Sequence, residues 1–276
     1  MINNDLLWSM DEYEAVVDYI GDGYDRINVL LSRNLTRRET IDEMIRYNIP
    51  QTQDEFLENI EKIVLIYSAI RKNYVLNGRK KYNKVFFRGA RDEKISSSFL
   101  STSISAMVAY YFSKEAILAI DPGEVPGINV SDIIPSGDCN STEQEFLFLP
   151  TETISVEPIS IQNFFDIAIE QGEEIIVSCD MLKEGASCYC GKVFVRELDY
   201  SNEKVEITLD ELCNLFNQYR QDIMIIRGAN KTSKEYTEAY IRVMQFKKNC
   251  TTFIYQKFHE TNLIVDNQDI IKNSAI

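Results

Sequence analysis

The chain has 276 residues, 45% of them apolar, which is enough for one large domain or two smaller ones with a buried core. A formal net charge of −14 excludes a general nucleic-acid-binding protein, because such a protein presents a basic face. The sequence holds no run near the roughly 20 apolar residues of a membrane span, and its start lacks the basic and apolar regions of a secretory signal.

The cysteine and histidine content limits the chemistry further. Six cysteines are scattered without C-x-x-C spacing, so we expect reduced thiols, a cytoplasmic protein and no metal ion. The sequence has a single histidine, His259, and no G-x-S-x-G motif, which argues against Ser–His or Cys–His nucleophilic catalysis. We expect His259 to lie at the surface or on a strand. Acid–base chemistry in this chain therefore falls to carboxylates.

The N-terminal part of the chain predicts helices, and the next part predicts strands. Three apolar-periodic segments each begin with a serine or threonine that is followed three residues later by a glutamate. These pairs are Ser9 and Glu12, Thr36 and Glu39, and Thr52 and Glu55. From Lys84 the β-prone segments are KVFFRGA, SSSFLSTSIS, AILAID, EQEFLFLP and TISVEPIS, with a short helix predicted at SAMVAYYFSK. Helices followed by a mainly antiparallel sheet make an α+β fold.

A second region begins near residue 160. Here EEIIVSCD and KVFVREL predict strands, TLDELCNLFNQYRQ and TSKEYTEAYIRVMQF predict helices, and TTFIYQKF predicts a further strand. The sequence therefore predicts two domains, residues 1–159 and an α+β accessory region of residues 160–276. The alternative is that the second region supplies further strands of the same fold. The second region resembles no family, and a role in target recognition or localisation is assigned to it by elimination.

Three short motifs follow one another in the first region: FFRGA, FLSTSIS and STEQEFLFLP. Residues i and i+2 of a strand point to the same side, so the last motif directs Glu143 and Glu145 into one space. Each motif alone is ordinary, because a lone arginine, S-T-S or E-x-E is most often a solvated part of a surface strand. Their order is the informative feature.

In this order the motifs resemble the arginine–serine–glutamate class of mono-ADP-ribosyltransferases, which carries an arginine on the first core strand, then F-x-S-T-S, then E-x-E. Tyr24 and Asn28 resemble the N-terminal helical signature of the family. Phe112 follows Ser101 by eleven residues, where the family commonly has an aromatic that packs on nicotinamide. The resemblance covers roughly residues 8–158 and implies an NAD-binding β-sandwich preceded by helices. It implies NAD as co-substrate and no metal.

The resemblance also assigns the site residues. Catalysis is assigned to Glu143, Glu145 and Ser101, and NAD binding to Arg88, Gly89, Thr102, Ser103, Phe112, Tyr24 and Asn28. An arginine offers a planar, charged fork for the two phosphates of NAD, and a glycine lets its backbone approach the carboxamide of nicotinamide. By family position, Asn28 holds the phosphate or the adenosine-side ribose, and Thr102 supports its strand.

These assignments suit one reaction. Cleavage of nicotinamide from ribose leaves an oxocarbenium-like sugar. Glu145, held by Ser101, would stabilise that sugar through its 2′-hydroxyl. Glu143 would bind an incoming guanidinium and take its proton. A glutamate at this position goes with arginine acceptors in the family, so the resemblance implies transfer of ADP-ribose to an arginine of a target protein, met by the loop SDIIPSGDCNST.

Two departures from the family and two other functions stay open. Thirteen residues separate Arg88 from Ser101, so their connection is little more than a hairpin, and Glu115 stands where some toxins of the family carry a phosphate-binding arginine. The same residues suit an NAD glycohydrolase that passes ADP-ribose to water, or a non-enzymatic binding module on a transferase fold. A secreted effector without a classical signal peptide, acting in the cytoplasm of another cell, also fits the family.

Overall fold

The computed structural model describes residues 7–31, 50, 52–79, 81–90, 98–113, 115–132, 144–175, 187–195 and 207–274. The chain divides into two units. The helical unit consists of residues Met1–Lys72 and Glu197–Ile276, and the sheet unit consists of Asn73–Arg196. The helical unit is therefore discontinuous in sequence, because the whole sheet unit lies between its two parts.

Seven α-helices lie in the described ranges: α1 (Met10–Asp18), α2 (Tyr24–Leu31), α3 (Gln53–Leu76), α4 (Ala106–Phe112), α5 (Ile161–Glu170), α6 (Leu209–Gly228) and α7 (Lys234–Ser274). The capping box predicted at the start of α1 is present, with Ser9 Oγ 3.1 Å from Glu12 N and Glu12 Oε2 2.7 Å from Ser9 N. The helix predicted at TRRETIDEMIRYN falls outside the described residues. None of the described helices is long and apolar enough to cross a membrane.

An aromatic core holds three helices of the helical unit together. Phe56 of α3 stacks on Phe216 of α6 with ring centroids 4.8 Å apart, and Phe246 of α7 lies 5.7 Å from Phe56. Beside this core, fully buried Asp222 accepts hydrogen bonds from Nε and Nη2 of Arg242. A buried carboxylate needs such a paired charge, so this contact fixes how α6 and α7 pack.

The strand predicted at TTFIYQKF is wrong, because these residues lie within the long helix α7. Thr251 donates its hydroxyl to the carbonyl of Lys247 at 3.0 Å, four residues earlier, a bond that a helix can satisfy. Ile254 and Phe258 follow at helical spacing and are both buried. Tertiary packing therefore overrides the β-propensity of the threonines. His259 is exposed, which agrees with the expected surface position. It lies on a helix and not on a strand.

Seven strands form one sheet in the sheet unit: β1 (Phe86–Ala90), β2 (Leu100–Ser103), β3 (Ala116–Asp121), β4 (Gly127–Asn129), β5 (Glu145–Phe148), β6 (Thr151–Ile159) and β7 (Ser187–Val195). Their order is β4-β5-β2-β1-β3-β7-β6. All recorded pairs are antiparallel except β3 with β7, which is parallel. The α+β prediction is confirmed, and the sheet is mainly antiparallel as expected, with one parallel pair that makes it mixed.

A short connection requires this sheet to bend back on itself. Only Leu149 and Pro150 separate β5 from β6, yet the two strands are five positions apart in the sheet. Five strand spacings in a flat sheet amount to about 24 Å. A link of this length spans at most ~11 Å between its flanking Cα atoms. The sheet is therefore strongly curled, so that its distant strands approach each other.

The sheet continues past residue 159. All nine residues of β7 lie beyond that point, and β7 pairs with both β3 and β6. Contacts thus join residues 73–196 in one unit, whereas the sequence predicts a boundary near 160. Units defined by contacts and domains defined by function are different divisions, so the assignment of residues 1–159 to a functional domain stays a prediction.

Lys247 in α7 provides a test of the helical core. Its side chain is buried, and Nζ has no hydrogen-bond partner in the part of the chain that the structure describes. Burial lowers the pKa of Lys247 to about 7 from the ordinary 10.5. The unfolded chain therefore binds more protons than the folded chain between these values, and stability rises with pH across that window and is lowest below it. We expect Lys247→Met to raise the free energy of unfolding at pH 7 by about 1–3 kcal/mol.

Urea unfolding at several pH values measures this effect, and the gain should shrink as the pH approaches 10.5, the ordinary pKa of lysine. The neighbouring Lys248 is exposed, so Lys248→Met is the matched control and should show no such pH dependence. Equal stability of Lys247→Met and the unsubstituted chain at all pH values would contradict the burial of an uncompensated amine.

Candidate active site

The strands that carry the first two motifs separate after a single residue pair. The ladder between β1 and β2 consists of Phe87 opposite Ser103, whereas β1 and β3 share five pairs. From Arg88 onward the two strands share no ladder pair, and this interruption of backbone pairing is called the opening in the sheet. Arg88 crosses this opening, and its Nη1 donates a hydrogen bond to the carbonyl oxygen of Ser101. A charged side chain thus replaces backbone pairing between these strands.

Ser101 is linked in turn to Glu145. The Oγ atom of Ser101 lies 2.5 Å from Oε1 of Glu145, the distance of a strong charge-assisted hydrogen bond. The register explains why they meet, since β2 and β5 pair Ser101 with Leu147 and Ser103 with Glu145, which makes Ser101 and Glu145 diagonal neighbours on one face. Arg88, Ser101 and Glu145, one from each motif, therefore form a continuous chain of contacts.

Gln144, the middle residue of the E-x-E motif, lies in a turn. It has a left-handed backbone with φ of 49°. The carbonyl of Gln144 accepts a hydrogen bond from Ile104 N at 3.3 Å, which ties the turn to the end of β2. Strand β5, to which the rule for residues i and i+2 applies, starts only at Glu145. Glu143 falls outside the described residues, and its place near Glu145 stays a prediction.

The other two residues of S-T-S are buried and bonded within the sheet unit. The hydroxyl of Thr102 donates to the carbonyl of Phe146 on β5 at 3.1 Å, which joins the two strands by a side chain as well as by their backbones. Ser103 Oγ accepts from Ser105 N at 3.0 Å and so shapes the turn into α4. These contacts give Thr102 and Ser103 a role in holding the site, and their predicted part in binding NAD stays a prediction.

Gly89 is required by a contact that the sequence did not predict. A Cβ atom at this position would lie 2.5 Å from both the carbonyl oxygen of Ala109 and the backbone nitrogen of Ser113. The end of α4 therefore packs directly on the backbone of β1, and any side chain at residue 89 would displace it. The approach of a carboxamide to Gly89, expected from the resemblance, is a separate prediction.

Close to that contact, α4 presents two exposed aromatic rings. Phe112 is 52% exposed and Tyr111 75%, and their ring centroids are 5.4 Å apart in an edge-to-face arrangement. An apolar ring this exposed at the end of a helix is available to pack against a planar ligand. Glu115, the residue that departs from the family, is also exposed.

Tyr24 and Asn28 lie one turn apart on α2, in the helical unit. The amide of Asn28 donates from Nδ2 to the hydroxyl of Tyr19 at 3.0 Å, and Tyr19 is buried. Tyr19 is thus a positioning partner that the sequence reading missed. The predicted contribution of Tyr24 and Asn28 to NAD binding stays a prediction.

The two described cysteines of the sheet unit and Tyr82 are not activated as nucleophiles. Burial raises the pKa of Cys188 and of Cys190, so neither is a thiolate near neutral pH. Burial also raises the pKa of Tyr82 to about 12, and its hydroxyl donates to the carbonyl of Gly127. Within the described ranges, no group of three or more His, Cys, Asp or Glu side chains is placed to hold a metal ion.

Two further residues that the sequence reading missed border this site, Gln171 and Glu173. They follow α5, a helix that was also missed, although Ser160 before it and Gly172 after it are ordinary signals of a helix start and end. Their side chains contact the backbone at the start of β1 and at the start of α4. No local pattern announces contacts to residues this distant in sequence.

No family model matches the chain, and no curated protein matches it. Among solved structures it is similar to exoenzyme S from Pseudomonas aeruginosa, in complex with human 14-3-3 protein beta and bound to carba-NAD, at 16% identity and a TM-score of 0.39, covering 75% of this chain and 83% of that chain. It is also similar to the enzymatic component C2-I of the C2 toxin from Clostridium botulinum, at 17% identity and a TM-score of 0.36, covering 68% of this chain and 44% of that chain. Similarity at this level does not assign a function.

The contact at Gly89 can be tested without knowing the ligand. We expect Gly89→Ala to lower the free energy of unfolding by about 1–3 kcal/mol, because the added methyl group meets backbone atoms that cannot rotate away. Gly228→Ala is the control, since a Cβ at Gly228 has no atom within 4 Å. Urea unfolding of both variants measures the difference. Wild-type stability in Gly89→Ala would refute the packing of α4 on β1.

Proposed function

We propose that the chain is an NAD-dependent mono-ADP-ribosyltransferase that modifies an arginine of a target protein. The observation that carries the proposal is the 2.5 Å hydrogen bond between Ser101 Oγ and Glu145 Oε1, with Arg88 bound to the backbone of the same serine. The residues that meet here come from the three motifs whose order resembles the arginine–serine–glutamate class. Their contact supports a common site, which motif order alone does not require.

The residues fit NAD as a co-substrate. Arg88 supplies a permanent positive charge at the opening of the sheet, in a chain whose net charge is −14. A guanidinium binds phosphate oxygens through two parallel hydrogen bonds, so a single arginine provides local attraction against the acidic field of the molecule. Phe112 is the last residue of α4, next to the contact of this helix with Gly89. We assign its exposed ring to packing against the nicotinamide.

Glu145 is the group assigned to the chemical step. Its carboxylate, oriented by Ser101, would accept a hydrogen bond from the 2′-hydroxyl of the ribose and stabilise the positive charge that develops as nicotinamide leaves. A carboxylate already fixed by a short hydrogen bond needs little reorganisation for this task. Thr102 contributes indirectly, since its bond to Phe146 holds β2 against β5.

Glu143 is assigned to the acceptor. It would bind the guanidinium of the target arginine and take a proton as the new bond forms. Arginine specificity rests on this glutamate and on the family resemblance. A protein acceptor in the cytoplasm of the cell where the chain acts, and delivery as a secreted effector, belong to the same proposal.

The curl of the sheet supports the NAD-binding sandwich that the resemblance implies, because a curled sheet can face two of its parts toward each other. A transferase core in this chain would include β7, which lies beyond residue 159. The helices α6 and α7 that follow it would then form the accessory part with a role in target recognition or localisation.

The two glutamates can be separated experimentally. We expect Glu145→Gln to reduce nicotinamide release from NAD by about 10²–10³-fold, the usual cost of losing one preorganised charge-stabilising group. Glu143→Gln should retain slow NAD cleavage to water while losing label transfer to proteins. Exposed Glu157 on β6 gives the control variant Glu157→Gln.

Purified protein, labelled NAD and a cell lysate provide the measurement, with free nicotinamide and labelled proteins followed together. Labelling that requires both glutamates, with the modified residue identified as arginine by mass spectrometry, supports transfer to arginine. Nicotinamide release without labelled protein supports the glycohydrolase. Absence of NAD cleavage together with absence of NAD binding overturns the proposal in favour of a non-enzymatic module.

A further inference from the structure

Two side chains from one short segment bind the chain just before β1 and the chain just after β2. The segment Gln171, Gly172 and Glu173 follows α5 and lies in the sheet unit. Gln171 Oε1 accepts from Val85 N at 2.6 Å, and its Nε2 donates to Val85 O at 3.2 Å. One side-chain amide thus pairs with both backbone groups of the residue before β1, as a neighbouring strand would.

Glu173 performs the matching task beside β2. Its carboxylate accepts three hydrogen bonds at the start of α4, from Ser105 Oγ at 2.5 Å, Ala106 N at 2.8 Å and Met107 N at 3.4 Å. The first backbone N–H groups of a helix have no partner within the helix, and a carboxylate there is favoured by the helix dipole as well. Ser105 follows β2 by two residues and is itself bonded to Ser103.

The backbone turn at Gly172 allows the side chains of Gln171 and Glu173 to reach different partners. Gly172 has φ of 88°, a conformation that favours glycine, and it ends α5. The N–H groups of Gly172 and Glu173 return to the carbonyls of Ile169 and Ala168 at 2.9 and 3.1 Å, so the turn is anchored to α5. Phe164 of α5 is buried in the same core as Phe87 and Ala109, so α5 is itself fixed against β1 and α4.

We propose that Gln171, Gly172 and Glu173 form a brace that holds the chain entering β1 and the chain leaving β2 at the paired end of these strands and thereby positions Arg88 and the Ser101–Glu145 pair; this inference rests on the proposed function. The strands share one ladder pair, Phe87 with Ser103, beyond which backbone pairing does not hold them. The brace contacts lie at the other end of that pair, because Val85 precedes Phe87 and Ser105 follows Ser103. Gln171 fixes the strand that carries Arg88, and Glu173 fixes the helix that continues from the strand carrying Ser101.

The two ends of the brace should affect different kinetic parameters. We expect Gln171→Ala to raise the KM for NAD by about 5–10-fold with kcat within about 2-fold, because β1 carries the phosphate-binding Arg88. We expect Glu173→Ala to lower kcat by about 10-fold with a smaller change in KM, because a displacement of β2 by a fraction of an ångström misplaces Ser101 against Glu145. Glu173→Gln keeps an acceptor oxygen and should recover part of the lost kcat.

The matched controls are Glu174→Gln and Gln162→Ala, both at exposed neighbouring positions. Nicotinamide release by the full-length chain gives kcat and KM, and thermal unfolding identifies a variant that has merely failed to fold. Because a smaller folded fraction lowers the apparent kcat and leaves KM unchanged, kcat is calculated per folded protein. A raised KM in Gln171→Ala together with a lowered corrected kcat in Glu173→Ala is then the signature of positioning. Equal kinetics in all variants and controls would overturn the brace.

Hydrogen exchange separates failure of the brace from failure of the proposed function. In Glu173→Ala the amides of Ala106 and Met107 should exchange at least about 10-fold faster than in the unsubstituted chain, and in Gln171→Ala the amide of Val85 should do so, since each loses its acceptor. This measurement needs no activity. If the unsubstituted chain does not cleave NAD but the amides respond, the proposed function fails and the brace stands as a structural device. Unchanged exchange rates of these amides would contradict the brace, whether or not NAD is cleaved.

Discussion

The site depends on a sheet that is interrupted at one place. Strands β1 and β2 pair through Phe87 and Ser103 and then diverge, so the backbone groups that would bond each other are free to be used by side chains. Arg88 donates a hydrogen bond to the carbonyl of Ser101, and the hydroxyl of Ser101 donates one to the carboxylate of Glu145. An unbroken ladder at this point would occupy the same carbonyl and leave no opening. The interruption thus turns three separate motifs into one group of contacts.

An opening of this kind has a cost, and the rest of the sheet unit compensates for it. Buried backbone groups without partners are unfavourable, so the gap persists only where other contacts hold its two sides. The Thr102 hydroxyl on Phe146 and the packing of α4 on Gly89 act beside the gap, and the bonds from Gln171 and Glu173 hold the same two chains at the paired end, before Phe87 and after Ser103. The conformational freedom of a site of this type is therefore determined by side chains that do not touch the ligand.

The sequence predicts the elements of this fold better than the contacts between them. Capping boxes located α1 and α3, and β-prone segments located β1, β2, β3, β5, β6 and part of β7, because these signals are local, whereas the short strand β4 was missed. The contact between Ser101 and Glu145 was also predictable, but from resemblance, since 44 residues separate the two.

The features that the sequence did not predict depend on contacts between residues distant in the chain. The need for glycine at residue 89 comes from a helix backbone, and the segment TTFIYQKF is helical because aromatic packing in the helical unit outweighs its β-propensity. Gln171 reaches a residue 86 positions away, and nothing in its neighbourhood indicates that partner.

The discontinuous helical unit also orders events during synthesis. Helices α1, α2 and most of α3 leave the ribosome before the sheet unit, but the aromatic partners of Phe56 lie on α6 and α7, which are made after it. The sheet unit, contained within residues 73–196, has all of its strands available earlier. Because domains generally fold as units during translation, the sheet unit can complete its core while the N-terminal helices still wait with apolar faces exposed. Those helices are consequently the part of the nascent chain that most needs protection by chaperones.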